Sequence, residues 1–185
     1  MAIRIVIGGP PNSGKSTFSE SLVRALQDQG TDAESIDLDL WSPTLDYLQG
    51  RITKEQRDEQ KRKLITAKEA KEAYTRFKDA SKEHDVIVGD APGGISEESK
   101  QICKAATHGI IVCRDDNTDQ IRVWRDFFND IGIDVVAVVI SKINSTEDIT
   151  SYEPLEVVLA DLNRQPKVTP ILKVFAALLG AKLGV

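Results

Sequence analysis

The chain has 185 residues, 41% of them hydrophobic and 29% charged, with a formal net charge of -5. That balance fits one soluble globular domain over 1–185 with a sizeable core, and it argues against a broad nucleic-acid-binding surface. Cys103 and Cys113 have neither metal nor redox spacing, so both read as small buried apolar residues in a reducing compartment. The first apolar run, Ile3–Ile7, is too short for a signal peptide, and no stretch is long enough to span a bilayer. The expectation is a cytoplasmic protein.

Ile3–Ile7 predicts a buried strand. It runs directly into Gly9-Pro10-Pro11-Asn12-Ser13-Gly14-Lys15-Ser16-Thr17, which satisfies G-x-x-x-x-G-K-[ST]. Such a loop wraps a phosphate with inward-pointing backbone N–H groups, and a side chain at a tight position blocks that approach. Proline donates no N–H, so the donors are expected from Asn12 onward. Lys15 is expected to bridge the β- and γ-phosphates, and Ser16 to ligand Mg²⁺. The helix that follows aims its N-terminus at the anion. Phe18, Leu22, Ala25 and Leu26 give it one apolar face over Ser16–Gln29, with Gly30 as its stop.

Asp32–Leu40 predicts a second strand ending in Asp37-Leu38-Asp39. Carboxylates there can accept a hydroxyl proton, orient water or hold the shell of a metal ion, and they can equally cap a helix or turn. Trp41–Gly50 reads as a loop or short helix. Thr53-Lys54-Glu55-Gln56 reads as a capping box, and no glycine or proline follows before Lys82. A continuous helix over Thr53–Lys82 would be about 45 Å long, with Arg62–Leu64 the natural place for a break. Its apolar stripe is Leu64, Ala67, Ala70, Tyr74 and Phe77. The segment carries ten Lys/Arg against six Asp/Glu. That is either a solvated face laced with ion pairs, or a lid bringing Arg51, Arg57, Lys61 or Arg62 to an anionic ligand.

Asp85–Asp90 predicts a third strand, buried on both faces because its apolar residues do not alternate. Asp90 at its end suits a Mg²⁺ shell. Asp90-Ala91-Pro92-Gly93 then gives D-x-x-G, in which the N–H of Gly93 can approach a γ-phosphate. Ser96 is expected to cap a helix through Thr107, Gly109–Cys113 to form a fourth strand, and Thr118 to cap a helix through Ile131. Asp134–Ile140 predicts a fifth strand, running into Ser141-Lys142-Ile143-Asn144. This tetrad has the outline of N-K-x-D, with Asn144 where a carboxylate reads guanine. An amide offers one donor and one acceptor, which suits adenine better. Lys142 can lie along the ring face. The plainer alternative is a strand-to-turn exit. Leu155–Leu162 predicts a sixth strand, Asn163–Pro166 a second base-binding loop, and Thr169 the cap of an apolar helix over Pro170–Lys182.

The alternation predicts an α/β protein: a doubly wound, mostly parallel sheet flanked by helices, with a helical insertion at about 41–82. Together the loop, the Asp37/Asp39 strand end, Asp90–Gly93 and Ser141–Asn144 resemble the P-loop NTPases of the signal-recognition, MinD and BioD-like class. Val86–Asn144 looks most like the chromosome-partitioning and septum-site ATPases. The opening Gly9–Phe18 also looks like small-molecule kinases and P-loop domains fused to CRISPR-associated ring nucleases. The resemblance implies ATP and Mg²⁺, with Asp37 or Asp39 near the attacking group. Gly9-Pro10-Pro11 stands where the septum-site ATPases carry an extra, dimer-activating lysine. Two activities follow as expectations: an ATPase or phosphotransferase acting on a small anionic or hydroxylated acceptor, or a nucleotide switch, ATPase or GTPase, that regulates a protein partner.

Overall fold

A computed structural model describes residues 2–39, 44–60, 65–162 and 165–185. Its strands are β1 (Ile3–Gly8), β2 (Ala33–Asp37), β3 (Val86–Asp90), β4 (His108–Arg114), β5 (Asp134–Lys142), β6 (Asp148–Tyr152) and β7 (Leu155–Ala160). Its α-helices are α1 (Lys15–Gln27), α2 (Thr44–Leu48), α3 (Lys54–Gln60), α4 (Ala67–Ala80), α5 (Glu97–Cys103), α6 (Asp119–Asp130) and α7 (Pro170–Leu183). One seven-stranded sheet has the order β2-β3-β1-β4-β5-β7-β6. All pairs are parallel except β6 with β7.

The central strands send alternate residues to opposite faces, and both faces are covered. Ile5, Ile7, Val88, Ile110 and Val112 join a core closed by α1 and α7, where Phe18 meets Phe175 edge-on at 6.0 Å between ring centroids. Val6, Ile87 and Ile111 face the other way, into a core closed by Phe77 of α4, Ile102 of α5 and Trp124, Phe127 and Phe128 of α6. The strand order reverses at β1, which places the turn after β1 at the C-terminal edge of the sheet. Open α/β sheets bind ligands at this edge.

Several expectations change in detail. The helix expected over Thr53–Lys82 is interrupted. The capping box at Thr53 forms, with Thr53 N–H donating to Gln56 Oε1 at 2.8 Å, and α3 ends at Gln60. A new start follows at Thr66, whose hydroxyl accepts from Glu69 N–H while the Glu69 carboxylate accepts from Thr66 N–H. Arg62–Leu64, where the break was expected, lies outside the described residues. Of the apolar stripe, Ala70 and Phe77 are buried, Tyr74 is half-buried and Ala67 is exposed. The helix expected through Thr107 stops at Cys103, and Ser96 caps it with Ser99 in the N3 position. Thr118 caps nothing: its backbone is already helical (φ -65°, ψ -20°), because a 3₁₀ turn over Asp115–Asn117 leads into α6. The seventh strand, β6, is the unexpected element. It is half exposed at the sheet edge, and its sequence shows little apolar alternation. No helix among the described residues is long and apolar enough to cross a membrane.

Candidate phosphate-binding site

The turn after β1 is built by packing as much as by any ligand requirement. Gly9 has φ +146°, and a Cβ there would overlap the carbonyl oxygen of Val112 on the neighbouring strand. Gly14 has φ +94°, and its Cβ would lie 2.6 Å from Cβ of Leu162. Asn12 also takes a left-handed conformation, φ 60°. Successive N–H groups in such a turn point toward a common centre, the arrangement that receives anions. The first turn of α1 follows at once, with Phe18 N–H bonded to Gly14 O at 2.9 Å. Its N-terminus adds the positive end of a helix.

A cavity of about 590 Å³ opens over this turn. It is lined by Asn12 to Thr17 from the loop, Asp39 and Thr44 on one side, Gly93, Ile95 and Ser96 on another, and Leu162 across from them. Lys15 is buried, and its ammonium donates to Pro10 O at 3.1 Å. Burial lowers its pKa, opposed by the nearby carboxylates of Asp90 and Asp39. Ser16 Oγ donates to Asp90 Oδ2 at 2.5 Å. The other carboxylate oxygen, Asp90 Oδ1, is buried without a partner among the described residues, as is Ser13 Oγ. Burial pushes the Asp90 carboxyl up to about 6, against the pull of Lys15 and the Ser16 hydroxyl.

The structure brings together Gly9, Asn12, Ser13, Gly14, Lys15, Ser16, Thr17, Asp90, Gly93 and Asp39. Gly93 sits against the loop itself: a Cβ on it would come within 2.9 Å of Pro11 N. The two carboxylates at the end of β2 part company. Asp39 lines the cavity. Asp37 is turned into the protein, where Oδ1 accepts from Asp39 N–H at 2.9 Å and Oδ2 from Leu45 N–H at 2.9 Å and Asp46 N–H at 3.2 Å. This is the capping arrangement, which the sequence left open beside a role at the reacting centre. Burial, with the charges of Asp90 and Asp46, raises the Asp37 pKa well above the usual carboxylate range, and its backbone hydrogen bonds oppose that shift.

Ser141 and Lys142 are the last two residues of β5, Asn144 lies in the turn just after it, and none of the three lines the cavity. Lys142 pairs with Asp115 at 3.8 Å. Asn144 takes φ 51°, and its N–H donates to Asp161 Oδ1 at 3.1 Å. Asp161, not singled out from the sequence, directly follows the apolar strand β7, and an aspartate at the end of an apolar run, as at Asp90, was the signal for it. Its neighbour Leu162 connects this corner to the phosphate cavity. Of the cations considered for a lid, Arg51 is held on Glu34 and Asp46, and Arg57 lies over the Tyr47 ring and on Asp58. Lys61 and Arg62 lie outside the described residues, as do the first two residues of the expected base loop at Asn163–Pro166. Both cysteines are buried, with thiol pKa values pushed up by burial to about 12 for Cys103 and about 11 for Cys113.

The donor set fits a magnesium nucleotide. A hydroxyl and a carboxylate side by side, one oxygen of the latter unpartnered, are hard oxygen donors of the kind Mg²⁺ takes. Among the described residues four buried side-chain polar atoms have no partner; two of them, Asp90 Oδ1 and Ser13 Oγ, belong to this site, where a bound ion or phosphate would satisfy them.

No protein-family model matches the chain, and no curated protein sequence matches it. Solved structures do. A nucleotide-binding protein from Archaeoglobus fulgidus in complex with ADP superposes with a TM-score of 0.60 at 16% identity, covering 100% of this chain and 79% of that one. The septum site-determining protein MinD from Pyrococcus horikoshii, complexed with Mg-ADP, gives 0.59 at 15% identity over 95% of this chain and 77% of that one. Cobyrinic acid a,c-diamide synthase from Mycobacterium smegmatis, with an ATP analogue and magnesium, gives 0.56 at 14% identity over 76% and 75%. The chain therefore has the P-loop NTPase fold that these nucleotide-bound structures share.

Proposed function

We propose that the protein is a magnesium-dependent, ATP-binding enzyme that hydrolyses ATP or transfers its γ-phosphate to a small acceptor. The observation that carries this reading is the floor of the cavity: a buried Lys15 beside a Ser16–Asp90 pair with one carboxylate oxygen unpartnered. The likeness to structures holding Mg-ADP or an ATP analogue with magnesium supports it.

In this reading Gly9 and Gly14 allow the loop its path, and the N–H groups of Asn12, Ser13, Gly14, Lys15, Ser16 and Thr17 hold the phosphate oxygens. Lys15 neutralises charge at the transferred group, and Gly93 N–H faces the same end of the chain of phosphates. Ser16 and Asp90 hold the metal ion, which when bound supplies neutralisation of the phosphate oxygens. Asp39 is the carboxylate placed to orient water or an acceptor hydroxyl, because Asp37 is occupied by backbone donors. Ser141, Lys142 and Asn144 form the base corner and favour adenine over guanine through the Asn144 amide. The protein acts as a single domain, 1–185, in the cytoplasm.

Titration calorimetry with MgATP and MgGTP, followed by turnover assays with and without hydroxylated or anionic acceptors, tests this. The expected result is tighter MgATP binding and turnover stimulated by an acceptor. No heat with either nucleotide overturns it.

A second reading, a slow nucleotide switch with a protein partner, is favoured by the contact of Gly93 with Pro11. A γ-phosphate drawn against that contact would move the segment leading into α5. A solved MinC:MinD complex from Aquifex aeolicus, 20% identical over 76% of this chain, supplies the parallel for a partner. Tight MgATP binding with negligible turnover in every acceptor assay distinguishes this reading from the first.

A further inference from the structure

Two residues at the β2–β3 end of the sheet, Asp37 and Gly89, are met from one side by a single helix. The guanidinium of Arg76 on α4 donates to the main-chain oxygen of Asp37. The next residue, Phe77, is fully buried, and its ring occupies the space above Gly89, where a Cβ would lie 2.9 Å from Phe77 Cζ and 2.5 Å from Leu38 Cδ1. Gly89 precedes Asp90, and Leu38 separates Asp37 from Asp39. Arg76 and Phe77 thus bear on the backbone just before Asp39, which lines the cavity, and just before Asp90, which is buried beside it. Asp37 is held from its other end as well, since its carboxylate accepts the N–H groups of Asp39, Leu45 and Asp46. The same helix packs on α5, where Ala70, Ala73 and Phe77 share a core with Ile102 and Cys103. Helix α5 is capped by Ser96, itself part of the cavity wall.

We propose that α4 is the positioning element of the site, and that Arg76, acting through Asp37, fixes the turn that aims Asp39 into the cavity. Arg76 is not among the residues that line the cavity. It holds a carbonyl whose peptide unit sets the direction of the two residues that follow, and the Asp37 carboxylate carries that constraint to Thr44 and α2 on the same wall. The kinetic consequence rests on the ATP-turnover reading above; the structural one does not.

The full chain is compared as wild type, Arg76→Met and Arg76→Lys. In the nucleotide-free protein, amide hydrogen exchange is read at Asp39, Leu45 and Asp46, with Phe18 in α1 as the internal reference. With MgATP, kcat, KM and nucleotide Kd are read separately. Arg76→Met is expected to speed exchange at the three amides about tenfold while Phe18 is unchanged. It is expected to lower kcat about tenfold with KM and Kd within about twofold, the signature of a displaced acceptor group rather than lost binding. Arg76→Lys keeps a donor and is expected to restore part of both. Unchanged exchange at Asp39, Leu45 and Asp46 overturns the proposal, as does a joint loss of kcat, nucleotide affinity and melting temperature, which marks general destabilisation. Faster exchange with unchanged kcat overturns the link to the reaction. A wild type that binds MgATP but turns over nothing removes the reaction reading, and the exchange data then decide the positioning role alone.

Discussion

Asp90 at the end of β3 and Asp37 at the end of β2 are register partners on adjacent strands, and both are buried. They are nevertheless opposites. Asp37 accepts three backbone N–H groups and so closes its own accounts within the fold. Asp90 accepts one hydroxyl and leaves an oxygen buried without a partner. Burial does not separate a structural carboxylate from a functional one; the inventory of partners does.

The contrast can be broken by substitution. Asp37→Ala strands three donors, two of which start α2, and is expected to destabilise the apo protein by about 2–4 kcal/mol, seen as a lower denaturant midpoint. Asp90→Ala is expected to do the reverse: Mg²⁺-dependent nucleotide binding falls about 100-fold by calorimetry, while apo stability is kept or raised, because a buried carboxylate short of partners is removed. Equal apo losses for the two variants would erase the distinction.

Lys15→Ala sharpens it. Triphosphate affinity is expected to fall about 100-fold, roughly 3 kcal/mol for a charge-assisted contact, with the ligand-free melting temperature nearly unchanged. Asn144→Asp probes the far corner, where the expected effect is smaller: a shift of the MgATP to MgGTP affinity ratio toward GTP, of about tenfold.

The smallest effect concerns the edge of the same sheet. His84 sits between Asp32 at 2.8 Å and Glu34 at 2.9 Å. The Asp32 hydrogen bond and the neighbouring acidic charges raise its pKa above the usual histidine value. A raised histidine pKa stabilises the fold fully below the unfolded value, near 6.5, and that contribution is lost as pH rises through the folded value. His84→Ala is expected to cost about 0.5 kcal/mol near pH 5.5. The gap in melting temperature from wild type should narrow as pH rises through the folded value.

The sheet was legible because buried parallel strands are written as unbroken apolar runs, as in Val86–Val88 and Val135–Ile140, and because Gly14-Lys15-Ser16 tolerates few other readings. The edge strand β6 was not, since an edge needs only one protected face and Asp148–Tyr152 spends its residues on solvent. The site divided along similar lines. Lys15, Ser16 and Asp90 follow from local spacing. The fate of Asp37 depends on amides eight and nine residues later, and the reach of Arg76 spans 39 residues of chain. In sequence Arg76 is one cation among ten in a charge-rich stretch. Thr44, Ile95 and Leu162 reach the cavity only because the fold carries their loops to one edge.

The glycine at position 9 carries a lesson for engineering. It is confined by a neighbouring strand's carbonyl, not by open space awaiting a ligand. Part of the phosphate signature is therefore addressed to the protein's own interior, and transplanting the loop to another sheet requires bringing along the strand it leans on.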